Sequence, residues 1–394
     1  MNKLLLFLLA LSLPLGDQLN PILGFSASLV FSFVFVLVAL CYKFCLTRKV
    51  RFPRSFSIFY LFVILHTLII YILLYHDSIF DKCYIVIFGN TTSNDTYAVI
   101  LLRYFTYFLS PILFCKLIVD ENHLFYFLKS IVWCFITSAF LSYIYNVLVL
   151  NDVRFSGGFH DPNTFGGMSV ISMFICFYLQ RVSSKKIYYY FALIFLVFVL
   201  ISESRSSLIS VIVGFILLYY IGYINRRVFI AMCFFVGVFF IYMLINDIGV
   251  FGRFNDIKSR DDGDLRVVIW NMYLESYQNF AIYGTGVGHK LDAVSWYDSM
   301  RATHNMYLLQ FVQFGILGLI LFISTLITVL KKMWNVSKRY HKLMPLFCIE
   351  ASILILYCFS DYDNTREYVI VTMVFLSVYN LFIKNIRYEN RNNT

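Results

Sequence analysis

Residues 185–227 read KKIYYYFALIFLVFVLISESRSSLISVIVGFILLYYIGYINRR. Two apolar runs, about 187–202 and 208–224, are joined by a short polar tip, Ser202 to Ser207, and end in Lys185-Lys186 and Arg226-Arg227. A bilayer core of about 30 Å needs roughly 17–25 helical residues, and these runs are close to that length. Short cytoplasmic loops carry an excess of Lys and Arg, so the basic pairs mark the inner side. The stretch reads as a transmembrane hairpin whose tip faces outward.

Working outward from this hairpin, about twelve apolar runs can be marked. They cover approximately 4–18, 22–42, 57–75, 98–118, 130–150, 165–180, 187–202, 208–224, 228–245, 304–330, 343–360 and 368–383. The composition agrees: 60% of the 394 residues are hydrophobic and 14% charged, against about 45–50% and about 25% in soluble domains. A soluble globular protein is excluded. Alternate connections hold Lys43, Arg48, Lys49, Arg51 and Arg54, then Lys129, then Arg181, Lys185 and Lys186, then Arg226 and Arg227, then Lys331 to Lys342, and finally Lys384, Arg387 and Arg391. With Lys3 and Lys116 these contain most of the 32 basic residues. The net charge of +10 is thus a topology signal, with no nucleic-acid partner implied, and both termini are expected in the cytoplasm. Ser12 to Gly16 make a poor cleavage site, so the first run is expected to stay as a helix. No CxxC pair occurs among the nine cysteines, which argues against a disulfide framework or a zinc site. The expected fold is an all-α polytopic integral membrane protein: about 12 transmembrane helices, a single transmembrane domain over 1–394, and one long external loop at 246–303 carrying an amphipathic helix.

The inward connections are short and basic, so chemistry belongs to the outer side. In the long loop, Asp264 is placed to cap a helix in which Arg266, Trp270, Tyr273 and Tyr277 share one face, a guanidinium over aromatics. An interfacial helix of the aromatic belt is the alternative. Gly284-Thr-Gly-Val-Gly288 follows no strand, so a dinucleotide site fails; its glycines suit a turn or a close approach to substrate, with a flexible loop as the alternative. Thr303-His304-Asn305 opens the tenth run, where His304 is a candidate general base or, alternatively, a surface or capping residue. Arg205 sits in the hairpin tip, either as a functional cation or paired with Glu203. Arg154-Phe-Ser-Gly-Gly-Phe-His-Asp-Pro-Asn163-Thr-Phe-Gly-Gly167 has the makings of a polar pocket lining, and Arg103 is a secondary candidate within the fourth run. Arg154, Arg205, Arg266 and His304 together suit a phosphate-bearing amphiphile, since guanidinium forks bind phosphate oxygens bidentately. Within the external segments up to residue 303, Asp262-Gly-Asp264 is the sole D-x-D cluster, so a metal-independent site without a cofactor is expected.

These residues, in this order and topology, resemble the bacterial O-antigen polymerase and O-antigen ligase superfamily. The likeness covers roughly residues 150–325: the Arg154 to Gly167 loop, the Ser-Arg205-Ser tip, Arg266 with Trp270, Gly284 to Gly288, and His304-Asn305 followed by Leu308 and Gly315-Ile-Leu-Gly318. The Arg-x10-Gly spacing of some family polymerases is missed by one residue at Arg154 and is absent after Arg266, where Tyr277 stands. The resemblance implies a metal-independent membrane glycosyltransferase working on the periplasmic face of the bacterial inner membrane with an undecaprenyl-diphosphate-linked glycan. Polymerase is preferred; a ligase transferring the chain to lipid A core is the alternative, and a transporter or flippase of lipid-linked sugars the second. It also implies roles: Arg205 and Arg266 neutralising the diphosphate, His304 activating the acceptor hydroxyl, and Arg154, Asn163, Trp270, Gly286, Gly288 and Asn305 binding substrate. A chain-length regulator and a flippase are the implied protein partners, alongside the lipid bilayer.

Overall fold

A computed structural model describes residues 2–15, 50–74, 104–105, 108–112, 114–145, 162–245, 265–287, 295–296, 299–300, 303–359 and 366–392. The expected span at 22–42, much of 98–118, the start of the long loop through Asp264, and the site candidates Arg103, Arg154 and Gly288 lie outside these residues. The described helices are α1 (Asn2–Leu15), α2 (Arg54–Leu74), α3 (Glu121–Tyr145), α4 (Pro162–Ser183), α5 (Ile187–Ile201), α6 (Arg205–Tyr220), α7 (Arg226–Ile245), α8 (Leu265–Glu275), α9 (Met306–Arg339), α10 (Met344–Tyr357) and α11 (Arg366–Asn392). A two-residue antiparallel ribbon, β1 (Ser295–Trp296) and β2 (Ser299–Met300), interrupts the long loop.

Among the described residues, α2, α3, α4 and α9 are long and apolar enough to cross a membrane, and α1, α5, α6 and part of α11 form shorter apolar helices. The protein is a helical, multi-pass membrane protein. Exposed Ile58, Leu61, Leu65, Leu68, Ile69, Ile72 and Leu73 line α2, as expected of a face that meets lipid. α4 is the opposite case, buried on every side from Phe165 to Leu179. A helix apolar all round belongs in the interior, and its small residues Gly166, Gly167, Ser169, Ser172 and Cys176 admit neighbours closely.

Several element boundaries differ from the sequence reading, and the last helix continues past the expected 383 through Asn392. α3 starts early because Asp120 Oδ1 accepts from the His123 N–H (2.8 Å) and caps it, so Lys129 lies within the helix. That backbone hydrogen bond also holds the Asp120 carboxyl below its ordinary range. The hairpin tip shrinks to three residues because the Ser204 carbonyl already accepts from Leu208 N (3.1 Å), making Arg205 the first helical residue of α6. α9 continues through Arg339, its last turns kept in register by buried Met333, Val336 and Ser337.

Contacts sort the connections into two ends. At one end Arg51 N donates to Asn380 Oδ1 (2.8 Å), Asn380 Nδ2 donates to Arg51 O (3.1 Å), Lys342 pairs with Glu121, and the Tyr223 ring stacks on His341 (5.5 Å). At the other, Tyr71 OH donates to Val287 O (3.0 Å) and Trp270 Nε1 to Thr303 O (2.8 Å). The first group comes from connections read as inward, the second from those read as outward.

α9 is broken at Gly315, whose φ of 66° and ψ of −169° suit glycine alone. The returning loop repairs the break: Thr285 N donates to Val312 O (2.8 Å), Gly286 N to Gln313 O (3.0 Å), and Ile316 N to Ala281 O (2.8 Å). A Cβ on Gly315 would stand 2.4 Å from the Ile282 oxygen, and one on Gly284 would stand 2.3 Å from the Gln313 oxygen. Both neighbours are backbone and cannot swing aside. Gly315→Ala is therefore expected to destabilise the detergent-purified protein by about 1–3 kcal/mol from strain alone, with further loss from the clash. Thermal unfolding should show it, whereas Gly237→Ala, which meets nothing within 4 Å, should be neutral or slightly stabilising.

Candidate functional site

The entrance to α9 is held from three sides. Asn305 has extended backbone angles (φ −154°, ψ 112°), and its Oδ1 accepts from Leu308 N (3.0 Å), capping the helix. Its Nδ2 donates to the Cys358 carbonyl at the end of α10 (3.2 Å). Thr303 is buried; its hydroxyl donates to Asn305 O (3.2 Å) and its carbonyl accepts the Trp270 indole N–H of α8 (2.8 Å). Between these anchors, His304 is exposed and adopts a φ of 49°. Non-glycine residues persist in the left-handed region when the surroundings dictate it, and such strain gathers at functional sites. The capping role belongs to Asn305, and His304, just before it, is exposed.

The hairpin tip is a compact set of hydroxyls. Ser202 Oγ donates to Val199 O (2.7 Å), Ser207 Oγ donates to Ser204 Oγ (2.9 Å), and Ser204 and Ser206 share a hydroxyl pair (3.2 Å). Gly166 at the start of α4 lets this tip seat closely, since a Cβ there would meet Ser207 Oγ at 2.6 Å and Ser202 Oγ at 2.7 Å. Half-buried Asn163 therefore begins its helix beside the tip. Glu203, next to the tip's cation, has a φ of 57°. Of the three described non-glycine residues with positive φ, His304 is a candidate residue, Glu203 lies two residues before Arg205, and Ser184 is neither.

α6 and α10 run antiparallel, and their register links the tip to the α9 entrance. His341 Nε2 lies 3.5 Å from the Ile221 carbonyl, and Ser352 Oγ donates to Ser210 O (3.3 Å). The advance from His341 to Ser352 matches the retreat from Ile221 to Ser210, residue for residue. Continued, this register sets half-buried Arg205 level with Tyr357, adjacent to the Cys358 carbonyl that Asn305 binds. Arg205, Asn163, Trp270, His304 and Asn305 thus gather at one end of the helix bundle, and Arg266 stands one helical turn from Trp270 on α8.

The α8 face departs from expectation. Tyr273 is buried with Ile269, Phe280 and Val312 against α9, while Tyr277 lies past the helix end in a 3-10 turn and is half exposed. The four residues do not form one stacked face, because α8 spends its aromatic side on docking. The glycine motif also serves the packing of the helices. Gly284 approaches the backbone of α9, and Gly286 stands against the Ile70 side chain of α2. Sequence reasoning missed the Asn305 to Cys358 bond and the pairing of Ser210 with Ser352. The serine run SESRSS at 202–207 was visible, but Ser210 lies beyond it and its partner helix could not be read from the sequence.

Fold and site together define a multi-pass helical membrane protein with a polar, arginine- and histidine-bearing end. Residues 190–323 match the family model described as O-antigen ligase, which supports the O-antigen polymerase and ligase superfamily, whose members are membrane glycosyltransferase-like enzymes. That stretch holds Arg205, Arg266, Trp270, Gly286, Gly288, His304 and Asn305, and leaves out Arg103, Arg154 and Asn163. No curated protein matches the chain.

Asn305 separates capping from tethering. Asn305→Asp keeps the acceptor for Leu308 N and loses the donor to Cys358, whereas Asn305→Ala loses both. The alanine variant should cost about 1–2 kcal/mol for the cap plus the tether, and the aspartate variant a smaller amount. Denaturation of the purified protein by heat, with Tm falling in the order Asn, Asp, Ala, is the check; equal Tm values would contradict the assignment.

Proposed function

We propose that the protein is an O-antigen polymerase. It transfers a glycan from undecaprenyl diphosphate to the non-reducing end of an incoming undecaprenyl-diphosphate-linked repeat unit, without a metal. The reading places it in the bacterial inner membrane with the serine-rich end in the periplasm, because the opposite end carries the basic connections. The observation that carries it is the gathering of Arg205, Trp270, His304 and Asn305 at one end of the bundle, within the stretch that matches the family model.

In the reaction, the acceptor oxygen bonds to the anomeric carbon as the bond from that carbon to the diphosphate oxygen breaks. The acceptor's proton passes to His304, and the electron pair of the broken bond stays on the diphosphate. Diphosphate leaves readily once its growing charge is met, so fixed cations matter more than a strong general acid. Arg205 and Arg266 meet that charge; Arg154 and Asn163 hold the diphosphate or its sugar; Trp270 and Asn305 fix the His304 backbone from either side. Arg103 remains a secondary candidate within the membrane. A lipid anchor reaches this end laterally, and a flippase and a chain-length regulator are the partners the reaction calls for. Ligase activity toward lipid A core is the second reading, favoured by the description of the matched family model.

Arg205→Ala and His304→Ala should leave the protein inserted while lowering elongation by about 10²–10³-fold, the scale for loss of one charge-stabilising group. Arg205→Lys should recover part of it, since an ammonium keeps the charge and loses the fork. Gels of lipopolysaccharide read the outcome: long ladders restored by the wild type in a polymerase-deficient host support polymerase, repeat-bearing core restored in a ligase-deficient host supports ligase, and unchanged activity of both alanine variants in the host that the wild type rescues refutes the site. Purified protein given an undecaprenyl-diphosphate-linked repeat unit should yield longer lipid-linked oligomers with EDTA present; yield that depends on added divalent metal would overturn metal independence. Single cysteines tell the sides apart, with Tyr283→Cys labelled from the periplasm and His341→Cys from the cytoplasm.

A further inference from the structure

On the outer half of α9, Met306, Gln310 and Gln313 follow one another at helical spacings of four and three, forming one stripe. Leu308, Phe311 and Val312 occupy the other side, where they pack with Ile269 and Tyr273 of α8. The glutamine stripe therefore faces away from α8, and both side chains are buried, with relative exposures of 1% and 6%. Each has an Oε1 without a hydrogen-bond donor. Gln310 Nε2 reaches Met306 Sδ at 3.9 Å, a weak acceptor. Exchanging the amide oxygen and nitrogen of Gln310 would strand an N–H in place of an oxygen, so the deficit does not depend on that assignment.

A buried amide oxygen without a donor is costly, and Leu or Met would fill either position without that cost. Two such oxygens lie about 6 and about 11 Å along the axis from Met306, beneath His304. They also stand just before the break at Gly315, where the Ala281 to Gly286 loop supplies backbone partners. In a membrane protein such irregular backbone is tolerated where it is buried or lines a cavity.

We propose that Gln310 and Gln313 form a glycan subsite below His304, their amide oxygens accepting hydrogen bonds from hydroxyls of the acceptor sugar. An ionised diphosphate offers acceptors and no donors, so this stripe does not suit the lipid anchor; a polyhydroxylated sugar supplies what both amides lack. That the sugar is the acceptor rests on the function proposed above. That the stripe binds a glycan does not.

The test uses full-length purified protein and two probes: the repeat-unit oligosaccharide released from its lipid, and undecaprenyl diphosphate. Gln310→Met and Gln313→Met approximately conserve volume and remove the amides. Without probe, each variant should match or exceed the wild-type Tm. Oligosaccharide should stabilise the wild type, bind each variant at least about tenfold more weakly, as for loss of a buried hydrogen bond, and leave undecaprenyl diphosphate binding unchanged. A lower Tm with oligosaccharide affinity retained would show that the amides serve the fold, and would overturn the subsite. So would failure of the wild type to bind oligosaccharide, or equal binding by all three proteins, as expected if water fills the stripe. If oligosaccharide binds through the amides while wild-type protein makes no longer lipid-linked oligomers, the subsite stands and the polymerase reading falls.

Discussion

Lipid offers a backbone no hydrogen bonds, so every break in a spanning helix must be repaired by the protein itself. The break in α9 at Gly315 is the place where this constraint shapes the molecule. The chain that returns from the outer loop supplies Ala281 O, Thr285 N and Gly286 N to backbone groups on both sides of the break. That docking brings α8 against α9, and Trp270 of α8 then holds the Thr303 carbonyl beside His304. The geometry of a catalytic candidate thus traces back to satisfaction of backbone groups elsewhere.

Close approach is the second theme. Hydrophobic burial gives little preference for helix over lipid, so helices associate through packing and hydrogen bonds, for which small residues are suited. The serine tip rests on Gly166, and Ser210 and Ser352 exchange hydrogen bonds between α6 and α10. These contacts set the register that brings the start of α6 level with the end of α10. Asn305 then joins α9 to that same end.

The opposite end is organised by charge and aromatic rings. Lys342 pairs with Glu121 and lies over the Phe382 ring (5.4 Å), Lys338 lies over Trp334 (4.7 Å), and Lys332 lies over Tyr379 (5.3 Å). Exposed pairs of this kind contribute little stability each. Their value is positional, since they keep a basic collar where the apolar part of α9 ends.

Much of this was legible in the amino-acid order. Apolar runs and basic connections depend on local composition, so α2, α4, α5, α6, α7 and α10 fall close to the expected runs, and contacts sort the connections into two ends. Arg205 and His304 were also visible, because a cation in a tight apolar hairpin and a histidine at a helix entrance stand out by residue type. The partners of Asn305 and of the Gly284 motif were not, nor was the split of Tyr273 from Tyr277. Each depends on which helix lies alongside, and that is set by pairing between residues distant in the chain. Local patterning decides what crosses the membrane and which way it points; packing of distant helices decides which polar groups meet.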